Sequence, residues 1–285
     1  SVTVRLAVRQ PFASRDVVEF VGARAIPGLE SWDGETYVRT LRLPAGDGVV
    51  AATAAADHVS ARFWLTAWSD LAAAVQRVRS LFDLDADPVA VDAVLGATAP
   101  LAHLVAATPG RRAPASVDPY ETAVRAVVGQ QVSITGARTV AARFVERAGR
   151  LTTIGPDPTL RFFPAPDELA AAPDDAFAMP AARRDTIRRL AVAVADGELD
   201  LDTGTDPEAA RVALLRLRGI GPWTADYVVM RGLGHPDTFL GGDLGVRHAL
   251  DRLGAATIDP RVFAPWRSYA VHHLWAALHA GREPA

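Results

Sequence analysis

The fold is decided by residues 217–225, which read Leu-Arg-Gly-Ile-Gly-Pro-Trp-Thr-Ala. Both glycines can adopt the positive φ angles that a sharp turn between helices needs, and Ile220 between them would plug into the core. Pro222 fits the first position of the next helix, where a missing N–H costs little. Bare amides at such a helix start can bind a phosphate. The stretch predicts a turn that binds a nucleic-acid backbone, although the same tetrapeptide can simply join two helices.

A single carboxylate follows this turn further along the sequence. Residues 239–243 read Phe-Leu-Gly-Gly-Asp and place Asp243 at the start of the next predicted helix. Capping a helix is the commonest task of an aspartate in such a position. A carboxylate beside a phosphate-binding turn also suits chemistry on a nucleotide, and the residues alone leave both interpretations open.

The composition is typical of a folded protein and not of a disordered one. The chain has 285 residues, of which 49 % are hydrophobic, and this length allows two domains with sizeable cores. It has no run of about 18 apolar residues and no signal-peptide pattern. We therefore expect a soluble intracellular protein. The first residue is Ser1 and not Met, which indicates a processed product or part of a longer polypeptide.

Two absent residue types limit the chemistry. The chain has no cysteine, which excludes disulfides, iron–sulfur clusters and thiolate catalysis. It also has no lysine, because all 30 basic residues are arginine, so no side chain can form a Schiff base with an aldehyde sugar. The net charge of −3 argues weakly against bulk electrostatic binding of nucleic acid. Any contact with DNA must come from a local surface.

The pattern along the chain predicts an α+β fold in two parts. The first part, residues 1–87, alternates in strand fashion around two helices and predicts an antiparallel sheet, with Ser14 as the N-cap of the first helix. A linker at 108–114 precedes a helical pattern, and we assign residues 88–285 to a helical region of two lobes with a cleft between them. Strands are predicted at 2–8, 37–43, 49–54 and 58–67, and helices at 14–21, 71–81, 118–130, 133–148, 166–172, 181–196, 206–217, 222–232, 243–253 and 265–280.

Residues 214–250 resemble the helix-hairpin-helix superfamily of DNA glycosylases, with the hairpin at 214–232 and the aspartate loop at 239–245. Within that superfamily the chain is similar to the bacterial 3-methyladenine DNA glycosylase II family. The similarity extends to 80–88, 124–133 and 265–275, so it covers most of the chain. One departure is visible, because Gly241 and Gly242 stand where the family has a proline-containing turn.

The resemblance implies a DNA repair enzyme that hydrolyses the N-glycosidic bond of alkylated purines, chiefly 3-methyladenine and also 7-methylguanine. Asp243 would stabilise the positive charge on the deoxyribose and orient water. Members that also cut the strand carry a nucleophilic lysine where this chain has Trp223, so we expect a monofunctional enzyme. Two alternatives stay open: a glycosylase with shifted scope toward deaminated or bulkier bases, and a non-catalytic damage-binding protein.

The resemblance also assigns the base pocket and the DNA contacts. Trp223, Tyr227 and Trp275 would line the pocket and attract an electron-poor base, although aromatic residues at helical spacing are commonly core. Gln131 would fill the gap left by the flipped base, or it is merely a solvated residue at a turn. The remaining predicted DNA contacts are those of the hairpin: Gly219, Ile220, Gly221 and Thr224.

Partners and cofactors follow from the same reasoning. The expected partner is double-stranded DNA with alkylated bases, bound by a monomer in the bacterial cytoplasm at the nucleoid, with no membrane. No cofactor is required, and the resemblance allows a monovalent cation at the hairpin carbonyls. We expect no metal centre, because His272 and His279 share one helix face without a third ligand. The arginines at 183–189 are interpreted as a solvated face, with phosphate contact as the alternative.

Overall fold

The computed structural model describes residues 1–202 and 204–279, with the side chains described up to residue 278. The first part of the chain forms a five-stranded antiparallel sheet in the order β1-β5-β4-β3-β2 with two helices packed on it. Its elements are β1 (Val2–Ala7), α1 (Ser14–Gly22), β2 (Glu30–Trp32), β3 (Thr36–Arg42), β4 (Asp47–Ala54), β5 (His58–Leu65) and α2 (Leu71–Leu81).

The register of this sheet follows from its alternating side chains. In the β3–β4 hairpin Leu41 lies opposite Gly48, and in β4–β5 Val50 lies opposite Phe63. The inward-facing residues are buried in one core with Val17 of α1. The predicted strands and helices of this part are therefore confirmed. The short β2 was not predicted, because Glu-Ser-Trp has no alternation of apolar residues.

One cap in this part differs from the prediction. Ser14 was expected to cap α1, but it is the first helical residue, and Ala13 occupies the cap position without a side-chain hydrogen bond. Asp118 does cap its helix as the Asp-Pro pattern indicates, since its carboxylate accepts hydrogen bonds from the amides of Tyr120 and Glu121.

The second part of the chain is helical, as predicted. Its elements are α3 (Pro88–Gly96), α4 (Ala102–Ala107), α5 (Pro119–Val128), α6 (Ile134–Ala148), β6 (Arg150–Leu151), β7 (Arg161–Phe162), α7 (Pro166–Ala170), α8 (Ala181–Ala195), α9 (Pro207–Arg216), α10 (Pro222–Tyr227), α11 (Leu244–Arg252) and α12 (Arg267–His279). α10 continues into a π-helical turn over Val228–Gly232. Residue 280, the predicted end of the last helix, lies outside the described residues. α3, α4 and the small β6–β7 hairpin were not predicted.

The helices form two lobes with separate cores. Residues of α5, α6, α8 and α9 share one core, which includes Phe144 and Leu214. Residues of α3, α4, α11 and α12 share the other, which includes Leu95 and Leu274. Tyr227 packs against both cores, so α10 lies between the lobes and carries its side chains to the cleft. None of the described helices is both long and apolar enough to cross a membrane.

Candidate active site

The hairpin between α9 and α10 depends on one glycine more than on the other. Gly219 has a φ of +97°, and a Cβ at this position would lie 2.0 Å from the Oγ1 atom of Thr186. Gly221 has a φ of −97° and a ψ of 177°, so the expected positive φ is wrong at this residue. A Cβ on Gly221 would meet open space, which leaves this side of the turn free for an incoming backbone.

The two glycines of the hairpin are exposed, whereas the side chains of Ile220 and Thr224 are not. Ile220 is buried, as expected of a residue that plugs the turn into the core. The side chain of Thr224 is also buried, and its Oγ1 atom accepts a hydrogen bond from Nε2 of Gln130 at 3.0 Å. The Thr224 side chain therefore faces inward, and the DNA contact assigned to Thr224 stays a prediction that only its backbone could fulfil. Among the described residues, the amides of Gly219 and Gly221 donate to no protein acceptor.

Gln131 stands exposed beside the hairpin in a strained conformation. Its φ of +58° lies in the left-handed region, which costs an L-residue about 1–2 kcal/mol. The residue before it is fixed on both sides: Nε2 of Gln130 donates to the carbonyl of Gly219 at 3.1 Å, and Arg183 donates to the carbonyl of Gln130 at 2.8 Å. The turn therefore holds Gln131 outward next to the hairpin, and Arg183 supports that turn.

The other arginines of this predicted cluster are bound within the protein. Arg184 and Arg188 both pair with Asp174, and Arg188 also donates to the carbonyl of Ala172. Within this cluster, Arg189 has an exposed side chain and forms no ion pair with a described residue.

Asp243 is held by three hydrogen bonds at the start of α11. Its Oδ1 atom accepts from the amide of Val246 at 3.0 Å and from Nε1 of Trp275 at 2.9 Å, and its Oδ2 atom accepts from Nε1 of Trp223 at 3.0 Å. The amide of Asp243 donates to the carbonyl of Leu240 at 3.0 Å, which closes the Gly-Gly turn before it. The carboxylate is partly exposed and lines the cleft, so it caps its helix and faces the cavity at once.

The cleft contains a cavity of about 370 Å³, which is large enough for a small-molecule ligand. All three predicted pocket aromatics line it. The ring centroids of Trp223 and Tyr227 lie 5.3 Å apart at 28°, and those of Tyr227 and Trp275 lie 6.5 Å apart at 45°. The sequence indicated their aromatic faces but not the direction of the indole N–H groups, which point at Asp243.

A second wall of the cavity was not predicted from the sequence. It contains Arg24, which follows α1, and Arg231 of the π-helical turn, whose Cζ atoms lie 3.6 Å and 4.9 Å from the ring centroid of Phe20. The spacing held a signal, since Trp223, Tyr227 and Arg231 follow each other at intervals of four. No local pattern could show that α1 of the first domain completes the cavity.

A buried ion-pair network also contributes to the lining of the cavity. Arg39 donates to Glu30 at 2.9 Å and to Glu121 at 2.7 Å, and Arg125 donates to Glu30 at 3.1 Å and to Glu121 at 2.9 Å. Tyr37 donates its hydroxyl proton to Glu30 at 2.6 Å. The two carboxylates and two of the guanidinium groups therefore satisfy one another.

Burial and the charges of the arginine wall shift the pKa of several groups in it. Burial lowers the pKa of Arg24 to about 10, and the charges of Arg231 and Arg125 act in the same direction. Burial also lowers the pKa of Arg231. Burial alone would raise the pKa of Tyr227, but Arg231 and Arg24 outweigh it, so that pKa is lowered. Burial, together with the same arginines, holds the pKa of His272 well below its usual value, which keeps its ring neutral at pH 7.

Comparisons with known proteins agree with this geometry. The family model described as the AlkA N-terminal domain matches residues 3–118. DNA-3-methyladenine glycosylase 2 of Escherichia coli K12 is 34 % identical over 263 residues, which cover 90 % of this chain and 90 % of that protein. The chain belongs to the AlkA family of DNA-3-methyladenine glycosylases.

A longer relative and a solved structure also resemble this chain. A protein of Mycobacterium tuberculosis H37Rv named "Probable bifunctional transcriptional activator/DNA repair enzyme AlkA" is 45 % identical over 284 residues, which cover 98 % of this chain. The chain spans only 57 % of the length of that relative. The solved 3-methyladenine DNA-glycosylase from Archaeoglobus fulgidus superposes over 100 % of both chains with a TM-score of 0.83 at 20 % identity. This likeness confirms the predicted α+β glycosylase fold.

The hairpin of this AlkA-family chain has the donor set that a monovalent cation would need. The carbonyls of Leu217, Arg218 and Gly219 each accept one hydrogen bond, from Ile220, Thr186 and Gln130 respectively. Each carbonyl keeps a second lone pair, so the residues fit such an ion, and the site stays a prediction. The described residues contain no group of three metal-ligating side chains, and the side chain of His279 lies outside them.

Proposed function

We propose that this chain is a monofunctional DNA glycosylase that hydrolyses the N-glycosidic bond of alkylated purines, 3-methyladenine and 7-methylguanine, in duplex DNA. The observation that carries the proposal is Asp243, a partly exposed carboxylate held by the indole N–H groups of Trp223 and Trp275 on the wall of an aromatic cavity. The relative named DNA-3-methyladenine glycosylase 2 supports the substrate class.

The hairpin and the strained turn would bring the base into the cavity. The free amides of Gly219 and Gly221 face outward and would bind a backbone phosphate. Gln131, fixed outward beside them, would enter the duplex and occupy the space of the flipped nucleotide. Flipping costs a few kcal/mol, and stacking on aromatic rings at about 1–3 kcal/mol per base offsets that cost. Only a base that stacks well, as an electron-poor alkylated purine does, would stay in the cavity.

Asp243 would act when the glycosidic bond breaks. The bonding electrons go to the base, so a cationic alkylpurine leaves as a neutral molecule and needs no general acid. The anomeric carbon becomes positively charged, and the fixed carboxylate stabilises this charge because it is already oriented before the reaction. A water oxygen then bonds to the anomeric carbon, and the water proton passes to Asp243 or to solvent.

The reaction would stop at an abasic site. Trp223 stands where strand-cutting relatives carry a nucleophilic lysine, and its indole donates to Asp243. With no lysine in the chain, no side-chain amine can attack the sugar. No cofactor is needed in this scheme, and a monovalent cation at the hairpin carbonyls would only strengthen phosphate binding. We propose a monomer that acts on double-stranded DNA in the bacterial cytoplasm.

The test is base release from methylated duplex DNA by the wild-type protein and by Asp243→Asn. We expect the wild-type protein to release 3-methyladenine and 7-methylguanine, with strand cleavage only after alkali. Asp243→Asn should lower release about 10²–10³-fold, as the loss of one stabilising group does in other enzymes. Asp251→Asn, which changes an exposed aspartate on the same helix, is the matched control and should retain full release.

Each other outcome has a definite meaning. Release of deaminated or bulkier bases in place of methylated purines would replace the proposed scope with a different one. Tight binding to damaged DNA without release by either form would establish a non-catalytic binder. Strand cleavage without alkali would contradict the monofunctional mechanism.

A further inference from the structure

Arg231 has hydrogen-bonding capacity that the protein does not use. Its side chain is only 8 % exposed and lines the cavity. Its Nε and Nη1 atoms are buried and, among the described residues, have no hydrogen-bond partner. A buried donor without a partner costs about 1–3 kcal/mol, and more when the group is charged. Such a group in an otherwise well-bonded site indicates a partner that arrives with the ligand.

The local backbone singles out the same residue. Arg231 stands in the π-helical turn Val228–Gly232, where the amide of Leu233 donates to the carbonyl of Val228 at 3.1 Å. π-helical turns are rare and occur frequently at functional sites. The same helix carries Trp223 and Tyr227, so one element supplies both aromatic and cationic surface to the cavity.

The contrast with the neighbouring arginines points to a role of Arg231 toward a ligand. Arg39 and Arg125 have Glu30 and Glu121 as partners, whereas no described carboxylate forms an ion pair with Arg231. The groups that act on Arg231 are the phenol of Tyr227, which is also its hydrogen-bond partner, the guanidinium of Arg125, the phenol of Tyr37 and the ring of Phe20. None of these is a carboxylate that would neutralise its charge. The cavity wall therefore presents positive charge and donors to whatever fills the cavity.

We propose that Arg231 is a specificity residue that donates a hydrogen bond to an exocyclic carbonyl oxygen of the flipped base. The inference rests on the proposed function. Arg231 would raise the rate on 6-oxopurine lesions, such as 7-methylguanine, relative to the rate on 6-aminopurine lesions, such as 3-methyladenine. A carbonyl oxygen accepts from a guanidinium, whereas an amino group offers its own protons to a donor and gains nothing.

The shape of a purine places its 6-substituent where Arg231 can distinguish an oxygen from an amino group. Both lesions are joined to the sugar through N9, and the 6-substituent lies on the other ring, away from the glycosidic bond. With the sugar at Asp243, the 6-substituent extends into the cavity that Arg231 lines. Electron density moves onto the base as the bond breaks, so a hydrogen bond to the oxygen strengthens in the transition state. Such an interaction raises the rate of the chemical step and not only the affinity.

The experiment measures both bases in one reaction. Duplex DNA treated with a methylating agent is incubated with the wild-type protein and with Arg231→Met, and the released 7-methylguanine and 3-methyladenine are quantified separately. We expect Arg231→Met to lower single-turnover release of 7-methylguanine about tenfold, the loss of one charge-assisted hydrogen bond. Release of 3-methyladenine should stay the same or rise. Arg231→Gln, which keeps a neutral donor, should lie between the two.

Two controls separate specificity from damage to the fold. Methionine is close to arginine in length, and removal of an unpaired buried charge is commonly neutral or stabilising, so the Tm of Arg231→Met should not fall. Arg252→Met, which changes an exposed arginine of α11, should leave the ratio of the two bases unchanged.

A failure of the role of Arg231 can be distinguished from a failure of the proposed function. An equal loss of both bases in Arg231→Met and Arg231→Gln would overturn the role of Arg231 while the proposed function stands. Absence of release by the wild-type protein would overturn the proposed function itself, and this inference with it.

Discussion

The two walls of the cavity carry opposite charges and hold them in different ways. On one wall the carboxylate of Asp243 accepts three hydrogen bonds from Val246, Trp223 and Trp275 and stays accessible. On the other wall Arg24 and Arg231 stack on Phe20 without any described carboxylate partner. The difference shows that this cavity fixes its negative charge in advance and leaves its positive charge available to a ligand.

Arg24 and Arg231 have no described carboxylate partner, whereas the ion-pair network that lines the same cavity is satisfied within itself. Glu30 and Glu121 neutralise Arg39 and Arg125, and this buried network joins β2 and β3 of the sheet domain to α5 of the helical region. The first domain is therefore part of the site, since it supplies Arg24 and supports the wall on which Arg231 lies.

The largest effect should follow from Glu30→Gln, which breaks the ion-pair network. Glu30 accepts hydrogen bonds from Ile26, Tyr37, Arg39 and Arg125, so the change leaves buried cations with half of their negative partners. Loss of one member of a buried ion pair typically costs about 3–5 kcal/mol. Urea denaturation should show a fall of this size in the free energy of unfolding. A fall below about 1 kcal/mol would show that the network does not support the wall.

The same variant has a pH signature and a matched control. Burial raises the pKa of Glu30, but Arg125 and Arg39 outweigh burial and leave that pKa below its ordinary value of 4.5. A depressed pKa stabilises the fold above the unfolded-state value, and this contribution is lost as the pH falls through the folded-state value. Glu30→Gln should therefore lose less stability than the wild-type protein on acidification below about pH 4.5. Glu35→Gln, at an exposed carboxylate, should behave as the wild-type protein.

The sequence revealed the Asp243 wall far better than the arginine wall, for a physical reason. Asp243, Trp223 and Tyr227 lie near the hairpin, and their spacing and the family resemblance both indicate a site. Arg24 becomes part of the site only because the sheet domain folds against α12 and the π-helical turn, a contact between distant parts of the chain. Alternation and helical periodicity report which face is buried, and they carry no information on which domain that face meets.

Two smaller failures of sequence interpretation have similar causes. Gly221 was expected at a positive φ, but Gly219 alone makes the turn, because the neighbouring Thr186 excludes any side chain there. The sequence also did not show that the Thr224 side chain is buried, where Gln130 from the turn after α5 donates a hydrogen bond to it; a DNA contact by Thr224 stays a prediction. In both cases a residue from outside the motif decides the role of a residue within it.

A medium effect should follow from the removal of one indole donor on the Asp243 wall. Trp275→Phe and Trp223→Phe each keep an aromatic ring but lose the N–H that holds one carboxylate oxygen. A hydrogen bond to a charged group contributes about 1.5–3 kcal/mol, so single-turnover base excision should fall about 10–100-fold in each variant. Trp68→Phe, at an indole that is 55 % exposed, should retain full activity. Unchanged excision in both pocket variants would show that Asp243 needs no indole support.

The smallest effect concerns Gln131, at the mouth between the two walls, where its neighbours Gly129 and Val132 line the cavity. Gln131→Gly removes the left-handed strain at a φ of +58°, so the free energy of unfolding should rise by up to about 1 kcal/mol. Excision from duplex DNA should nevertheless fall, because no side chain remains to fill the flipped-out position. Gln131→Asn tolerates the same backbone and keeps an amide, so it should retain more activity than Gln131→Gly. If Gln131→Gly gained stability and kept full activity on duplex DNA, the strain at this turn would serve no function in base flipping.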